Sequence, residues 1–195
     1  MLTGVRVVWG ITGSHHNIQR YLNRMKEVVA AGLDVLPVLS WSVSNESTRF
    51  GDPAQWLARL SSITAHQALL TIPDVEPLGP MKAMDVTVVA PCTGNTLARI
   101  AHGLTDSPVL MAVKATLRSN RPVVLAISSN DILGLNAPNL AILLATRNVY
   151  FVPFGQDNPA EKPYSVDSDD ALLLPTIEAA LAGRQLQPLL LGPRA

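Results

Sequence analysis

The chain alternates short runs of apolar, β-branched residues with longer segments in which apolar residues recur at every third or fourth position. The first run, residues 5–11, is typical of a strand buried on both faces of a parallel sheet. From Ile18 to Val29 the apolar residues then follow helical spacing, with Asn17 as the predicted N-cap and Gly32 as the predicted stop. A strand and a helix are therefore predicted at the start of the chain.

The same alternation continues to the end of the sequence. Further strands are predicted at residues 35–39, 85–90, 122–127 and 149–152. Further helices are predicted at residues 53–63, 95–102, 109–117, 138–146 and 171–181. Two segments rich in polar and turn residues, 42–48 and 155–168, are predicted to be long loops or lids.

This alternation predicts a single-domain α/β fold, a doubly wound (Rossmann-like) parallel sheet with helices on both faces. The predicted domain covers residues 1–183, and residues 184–195 form a C-terminal tail. A chain of 195 residues, 48% hydrophobic and 15% charged, is long and apolar enough to bury one sizeable core.

Charge and cysteine content exclude several classes of function. Fifteen basic and fifteen acidic residues give a formal net charge of zero, so no positive field is available to hold a nucleic acid or to dock on a membrane. No apolar stretch approaches the roughly 20 residues that a membrane span needs. The single cysteine, Cys92, rules out an intramolecular disulfide, and the chain starts without a signal-peptide pattern. A cytoplasmic protein is therefore expected.

In a doubly wound sheet, ligands bind outside the carboxyl ends of the strands, so the loops after the strands are the expected place for chemistry. Four such loops, residues 12–16, 92–96, 128–134 and 154–158, are rich in Ser, Thr, Asn, Asp and Gly. These residues supply hydroxyls, amides and exposed main-chain N–H groups rather than packing. Their repetition predicts a polar ligand site at this edge of the sheet.

The first of these loops has features of a phosphate-binding turn. Gly13 permits a tight turn, Thr12 and Ser14 offer hydroxyls, and the following helix directs its positive end toward them. The spacing matches neither Gly-x-Gly-x-x-Gly nor a lysine-containing phosphate loop, so a plain strand-to-helix turn remains an equal alternative. His15 and His16 are adjacent and would point about 100° apart on a helix. No metal site is expected.

Residues 90–108, APCTGNTLARIAHGLTDSP, give a more specific signal. They resemble the Pro-Ala-Ser-Ala-Asn-Thr loop and following helix of the flavin-containing cysteine decarboxylase superfamily, which includes flavin prenyltransferases and phosphopantothenoylcysteine decarboxylases. Asn95 and Thr96 match the asparagine and threonine of that motif, whereas Cys92 and Gly94 replace its two alanines.

The resemblance implies a bound FMN. Gly13 and Ser14 match the family's flavin-phosphate turn after the first strand. The cofactor-binding residues expected on this basis are Gly13, Ser14, Pro91, Thr93, Asn95, Thr96, Ser128 and Asn130. Members of the family assemble as trimers or higher oligomers with flavin at the boundary between protomers, so a homo-oligomer is expected.

Three further stretches, GITGSHHN, SPVLMAVKATLRSNRPVV and YFVPFGQDNP, resemble the B-subunit family of dipicolinate synthases, and this resemblance covers nearly the whole chain. It implies the oxidation of a dihydrodipicolinate-pathway intermediate to dipicolinic acid during bacterial endospore formation. It also implies a separate A subunit that resembles a nicotinamide-dependent dehydrogenase and uses NADPH. The expected location is the cytoplasm of the mother cell.

The sequence departs from the decarboxylases at two places. Those enzymes have a catalytic histidine shortly before the fourth strand, whereas residues 73–80 read PDVEPLGP, which disfavours cysteine decarboxylation. Their Pro-x-Met-Asn-x-x-Met-Trp substrate clasp is only partly matched by residues 127–133, where Asn130 matches the asparagine but the Met-Trp pair is missing. Substrate recognition is therefore expected to differ.

Candidate groups for a dicarboxylate substrate come from a helix and from two loops. Lys114 and Arg118 are four residues apart on a predicted helix and share a face, although an ordinary solvated face remains an alternative. Gln156 and Asp157 are expected beside the same crevice as substrate-binding residues. Asp131 is the predicted catalytic proton acceptor, with the capping of a loop as the alternative.

Two functions remain open on this evidence. The chain is either a flavin-binding redox subunit, or a non-catalytic partner that binds phosphate or substrate and shapes the active site of a dehydrogenase subunit. Fold analogy cannot decide between them, because one fold hosts many kinds of chemistry.

Overall fold

Five parallel strands form the centre of the computed structural model, which describes residues 2–81 and 83–192. The strands of the described chain are β1 (Arg6–Ile11), β2 (Asp34–Leu39), β3 (Val86–Cys92), β4 (Val123–Ser129), β5 (Val149–Phe151), β6 (Phe154–Gly155) and β7 (Val166–Ser168). The first five pair in parallel in the spatial order 2-1-3-4-5. β7 pairs antiparallel with the end of β4 and with β6.

Helices cover both faces of this sheet. Those of the described chain are α1 (His15–Ala30), α2 (Trp41–Asn45), α3 (Pro53–Thr64), α4 (Ile72–Val75), α5 (Gly94–Ala101), α6 (Pro108–Arg118), α7 (Ala137–Leu144) and α8 (Leu173–Leu181). α1, α3 and α8 contribute to the core on one face, and α5, α6 and α7 contribute to the core on the other. The predicted α/β fold with a doubly wound parallel sheet is therefore confirmed, with a short antiparallel extension beside β4.

Local sequence signals explain where two of the helices begin. The Asp52 side chain accepts a hydrogen bond from the Gln55 N–H at 2.9 Å, and Pro53 occupies the first turn of α3. Ser107 caps α6 in the same way through the Leu110 N–H at 3.2 Å. Each such cap stabilises a helix by about 1 kcal/mol.

Three details of the prediction are wrong. Helix α1 begins at His15 with Ser14 at its N-cap, so Asn17 lies inside the first turn instead of capping it. Helix α2 overlaps the predicted loop 42–48, and strand β7 lies within the predicted loop 155–168. These elements have five and three residues, which is too short for a hydrophobic period to be recognised.

Buried contacts fix the relative position of β1 and β3. Trp9 is fully buried, and its indole Nε1 donates to the main-chain oxygen of Ala90 at 2.9 Å. A Cβ atom added at Gly10 would lie only 2.7 Å from Cγ1 of Val109, so α6 packs directly against the backbone of β1. The loops that follow β1 and β3 are held close together as a result.

The predicted C-terminal tail covers an edge of the sheet over its described residues, 184–192. Both main-chain groups of Phe151 pair with the Gln185 side chain, which accepts from the N–H at 2.8 Å and donates to the carbonyl oxygen at 2.7 Å. Leu191 N–H donates to the Phe154 oxygen at 2.9 Å. These bonds occupy groups that an edge strand otherwise exposes. Residues 193–195 of the tail lie outside the described residues.

Among the described residues, no helix has the length and apolar character required to cross a membrane.

A carboxylate ties the start of β3 to two other segments. Asp85 accepts hydrogen bonds from the Arg6 main-chain N–H at 2.9 Å and from the Arg6 guanidinium at 2.9 and 3.1 Å. The Arg121 guanidinium lies 3.2 Å from the same carboxylate. The side-chain hydrogen bond from Arg6 is the main reason why the pKa of Asp85 is lower than its ordinary value of 3.8.

We expect Asp85→Asn to lower the free energy of unfolding by about 1 kcal/mol at pH 7, because these partly exposed bonds are weakened by solvent. A lowered pKa in the folded state means that the carboxylate stabilises the fold above pH 3.8 and that this contribution is lost as the pH falls through the folded pKa. Urea unfolding of both proteins at pH 7 and near pH 3 measures the difference. An equal difference at both pH values would contradict the prediction. Asp34→Asn, at an exposed carboxylate whose ion pair with His66 is open to solvent, should change stability by less than about 0.5 kcal/mol.

Candidate functional site

Two cavities adjoin at the carboxyl edge of the sheet, where the loops after β1 and β3 meet. Cavity A has a volume of about 430 Å³ and cavity B of about 420 Å³, and both are lined by Gly13 and Thr93. In a sheet of order 2-1-3-4-5 the direction of winding reverses between β1 and β3, and ligands bind at such a point. The cavities therefore lie where the topology favours a ligand site.

Cavity A extends toward the end of β4, and cavity B toward the end of β2. The lining of cavity A consists of Gly13, Ser14, His16, Asn17, Thr93, Ser128, Ser129, Asn130, Asp157, Lys162, Ser165, Val166 and Asp167. The lining of cavity B consists of Thr12, Gly13, Ser40, Trp41, Ser42, Thr93, Asn95, Thr96, Arg99, Asp106, Ser107 and Leu110. Hydroxyl groups are the most frequent side-chain groups in both lists.

A buried threonine joins the two loops. The Thr12 hydroxyl donates to the Pro91 carbonyl oxygen at 2.7 Å and accepts from the Thr93 N–H at 3.1 Å. The turn after β1 also lies close to α2, since a Cβ atom added at Gly13 would be 2.7 Å from the Ser42 Oγ. A larger residue at position 13 would push Ser42 away from the turn.

The loop after β3 starts helix α5 at the point where the cavities meet. The Thr93 hydroxyl caps α5 by accepting from the Thr96 N–H at 3.3 Å, so the positive end of α5 lies beside the cavities. A Cβ atom added at Gly94 would lie 2.5 Å from Oδ1 of Asp131 and 2.7 Å from Oγ of Ser129. Glycine at position 94 therefore allows the loops after β3 and β4 to pack closely.

A polar network connects the first turn of α1 to the end of β4. Asn17 Nδ2 donates to Ser128 Oγ at 2.5 Å and lies 3.0 Å from His16 Nε2. Ser128 Oγ also lies 3.1 Å from Ser14 Oγ, and both serines are only 6% exposed. We call these four residues the His16–Asn17 network. It forms the floor of cavity A.

Ion pairs hold the opposite wall of cavity A. The Asp167 carboxylate accepts two hydrogen bonds from the Arg20 guanidinium, at 2.7 and 2.9 Å. Burial lowers the pKa of Arg20, but the hydrogen bond and the negative charge of Asp167 outweigh this effect and raise the pKa overall. Lys162 Nζ lies 4.0 Å from Asp157 Oδ2. Strand β7 and the loop before it are thereby fixed against α1.

Most of the residues expected to bind a cofactor lie around the two cavities. Cavity A is lined by Gly13, Ser14, Thr93, Ser128 and Asn130, and cavity B by Gly13, Thr93, Asn95 and Thr96. Pro91 contacts the same region through its carbonyl oxygen. Of the residues expected to bind substrate, Asp157 lines cavity A, while Gln156 donates to the Pro163 oxygen at 2.8 Å and lines neither cavity.

Asp131, the predicted proton acceptor, is held inside its own loop. One carboxylate oxygen accepts from the Ser129 hydroxyl and the other from the Asn136 amide, both at 2.6 Å. Asp131 does not line either cavity. The geometry matches the alternative role of a loop-stabilising residue, and the catalytic role stays a prediction.

Lys114 and Arg118 share a face of α6, but they lie away from both cavities. They border an apolar groove of about 340 Å³ between α5 and α6, which Leu104 and Leu110 also line. On their other side they border a smaller pocket with Glu76. The structure therefore does not bring these two cations to the predicted crevice.

Cys92 is fully buried, and burial raises the pKa of its thiol to about 12. The thiol stays protonated at neutral pH, so this residue lacks the thiolate that a nucleophile needs. Across residues 2–81 and 83–192, no group of three or more His, Cys, Asp and Glu side chains is placed to hold a metal ion.

Several lining residues were missed by the sequence analysis. Ser40 and Ser42 follow β2 directly, so the rule that ligands bind beyond the carboxyl ends of strands would have identified them. The sequence analysis excluded His16 only as a metal ligand and interpreted Asn17 only as a helix cap. Their role depends on Ser128, which is 111 residues from Asn17 along the chain.

The sequence of this chain matches a known family and a characterised relative. A family model described as Flavoprotein matches residues 1–168. The B subunit of dipicolinate synthase from Bacillus subtilis (strain 168) is 48% identical over 189 residues, which are 97% of this chain and 94% of that protein.

Solved structures share the fold. The crystal structure of the dipicolinate synthase B subunit from Bacillus halodurans C superposes with a TM-score of 0.91 at 44% identity, covering 99% of both chains. The FMN-dependent cysteine decarboxylase SpaF superposes with a TM-score of 0.65 at 20% identity, covering 93% of this chain and 98% of that one, and shares the fold alone. This chain therefore belongs to the Flavoprotein family and, within it, to the group of dipicolinate synthase B subunits.

Proposed function

We propose that this chain is the flavin-binding component of a dipicolinate synthase and that it holds FMN across cavities A and B. The observation that carries this proposal is the pair of adjoining polar cavities at the reversal point between β1 and β3. FMN has a phosphate at one end and a planar ring system at the other, and each cavity falls in the range of about 300–1,000 Å³ that is usual for ligand pockets. Membership of the Flavoprotein family and the FMN dependence named for SpaF support the assignment.

Cavity B has the donors that a phosphate requires. Helices α5 and α6 both begin at its wall, because their N-caps, Thr93 and Ser107, line it. Helix starts carry partial positive charge and unpaired N–H groups, which favour an anion. The hydroxyl groups that add to these donors belong to Ser40, Ser42, Thr93, Thr96 and Ser107. The phosphate is proposed to lie here against the turn at Gly13, which lines both cavities, with Asn95 beside it and Ser14 on the side of the turn that faces cavity A.

Cavity A fits the ring system. Ser128 and Asn130 offer a hydroxyl and an amide at the end of β4, which match the oxygen and nitrogen atoms at the polar edge of a flavin. Pro91 shapes the loop between the cavities. A bound flavin supplies two-electron chemistry by accepting a hydride. The residues of this chain orient the ring and exclude water from it.

The proposed reaction is the oxidation of a dihydrodipicolinate-pathway intermediate to dipicolinic acid during endospore formation, in the cytoplasm of the mother cell. The substrate is proposed to enter cavity A beside Asp157. The proposed partner is the dehydrogenase-like A subunit, whose nicotinamide cofactor takes up the hydride as NADP+ and becomes NADPH. Related flavoproteins assemble, as the description of one solved relative as a cubic protein cage for redox transfer indicates, and a homo-oligomer is proposed here too.

We expect Thr93→Val to raise the dissociation constant for FMN about tenfold, because valine removes a hydroxyl that lines both cavities and a cap of α5. The measurement is a visible absorbance titration of the purified chain with FMN, followed by gel filtration and mass identification of the retained ligand. Thr71→Val is the matched control, since Thr71 caps α4 through the Asp74 N–H and lines neither cavity.

Equal affinities in the two variants would contradict the placement of the phosphate. A wild-type chain that remains colourless at saturating FMN would refute flavin binding and would favour a non-catalytic partner that shapes the site of the dehydrogenase-like subunit.

The proposal also predicts that this chain and the A subunit are both needed for catalysis. We expect rapid formation of dipicolinic acid only when this chain and the A subunit are both present, because the proposed reaction needs both sites. Product is measured by chromatography after incubation with each chain separately and with both together. Full activity of the A subunit without this chain would remove this chain from the catalytic step.

A further inference from the structure

Cavity A contains a histidine that the proposed flavin site does not use. His16 lies in the first turn of α1 and lines the cavity. Its Nε2 lies 3.0 Å from Asn17 Nδ2, and the Phe50 ring packs 6.1 Å from the imidazole, between centroids. No described residue forms a hydrogen bond with its Nδ1. Nδ1 is therefore the ring nitrogen that remains for a ligand.

Among the described ionisable residues that line cavity A, His16 is the one outside an ion pair. Asp167 binds Arg20, and Asp157 lies beside Lys162. An imidazole exchanges protons readily near neutral pH. His16 is therefore the lining group best suited to accept and return a proton.

The His16–Asn17 network allows His16 both to accept a proton and to return one. The Asn17 amide N–H groups point toward His16 Nε2 and Ser128 Oγ, which places the ring proton on Nδ1. When the amide is turned over, its oxygen accepts from Nε2–H and from the Ser128 hydroxyl, and Nδ1 has a free lone pair. The same oxygen then stabilises the imidazolium, as the asparagine of a Cys-His-Asn site does. Ser14 completes the network by donating to Ser128 in this second arrangement.

The proposed reaction requires such a group. Conversion of a partly reduced nitrogen ring into an aromatic ring removes a hydride from one ring atom and a proton from another, and the proton needs an acceptor within hydrogen-bond reach. Asp131 does not line cavity A and has both carboxylate oxygens bound within its loop.

We infer that His16 transfers a proton at the carbon next to the C=N bond of a cyclic imine dicarboxylate bound in cavity A, and thereby interconverts its imine and enamine forms. This inference rests on the proposed function for its substrate class. The C–H bond breaks, its electron pair forms a C=C bond to the imine carbon, and the C=N electron pair moves to nitrogen, which takes a proton from water. His16 Nδ1 holds the abstracted proton and returns one in the reverse step. The step consumes no oxidant.

The test is deuterium exchange without an electron acceptor. The purified chain is incubated in D₂O with Δ1-piperideine-2,6-dicarboxylate and no nicotinamide. Proton NMR follows the signal of the hydrogens on the ring carbon that is bonded to the imine carbon. We expect exchange above the buffer rate, and His16→Gln should reduce the protein-dependent rate by about 10²-fold or more. His102→Gln is the matched control, since this exposed histidine follows α5 and lines neither cavity. It should keep the wild-type rate.

Two further variants separate proton transfer from a purely structural role. His16→Ala should recover part of its exchange when imidazole is added to the solution, because free imidazole can replace the missing base. Asn17→Asp should retain exchange, since a carboxylate can accept from Nε2–H, whereas Asn17→Ala should lower it. A structural role for His16 would show no imidazole rescue.

Exchange at the buffer rate with the wild-type chain, or unchanged exchange in His16→Gln, overturns the inference. An FMN absorbance titration of the same samples reports separately on the proposed function. A chain that binds FMN but exchanges at the buffer rate refutes only the role of His16. A chain that exchanges through His16 but binds no FMN refutes only the flavin assignment.

Discussion

The hydrogen bonds of Thr12 hold together the two loops on which the rest of the site depends. The hydroxyl lies between the Pro91 oxygen at 2.7 Å and the Thr93 N–H at 3.1 Å, and the residue is 1% exposed. Water does not compete for these bonds, so the spacing of the loops is fixed. Because β1 and β3 are neighbours where the winding of the sheet reverses, this spacing sets the common wall of cavities A and B.

Two contacts hold the end of β4 and the loop after it close to the loops that follow β1 and β3. Gly94 lets the loop after β4 approach the start of α5, since any side chain there would collide with Asp131 and Ser129. Asn17 reaches from α1 to Ser128. Cavity A is lined by polar and ionised side chains from the end of β4 and from β7 with the loop before it, whereas α5 and α6 both begin at the wall of cavity B. This difference is the basis for the proposal that the ring and the phosphate of FMN lie in different cavities.

The decarboxylase SpaF shares only the fold of this chain, and a shared fold does not determine the chemistry of a site. The segment in which the sequence resemblance led us to look for a catalytic histidine reads PDVEPLGP, and its two short helical turns, Ile72–Val75 and Glu76–Leu78, lie beside α6. The histidine that lines cavity A in this chain, His16, comes from a different loop. A fold that keeps its ligand crevice while its ionisable groups change position can host a different reaction.

The sequence by itself determined the order of the longer strands and helices, the start of α3 at Pro53, and the loop around Asn95 and Thr96, because these depend on periodicity and on contacts between near neighbours. Only the tertiary structure decided that Asn17 binds Ser128 rather than capping α1. It also decided that the shared face of Lys114 and Arg118 borders a groove away from the crevice. The physical reason is that both outcomes depend on which elements pack together. The spacing of residues along the chain does not indicate which residues far apart in the sequence will be in contact.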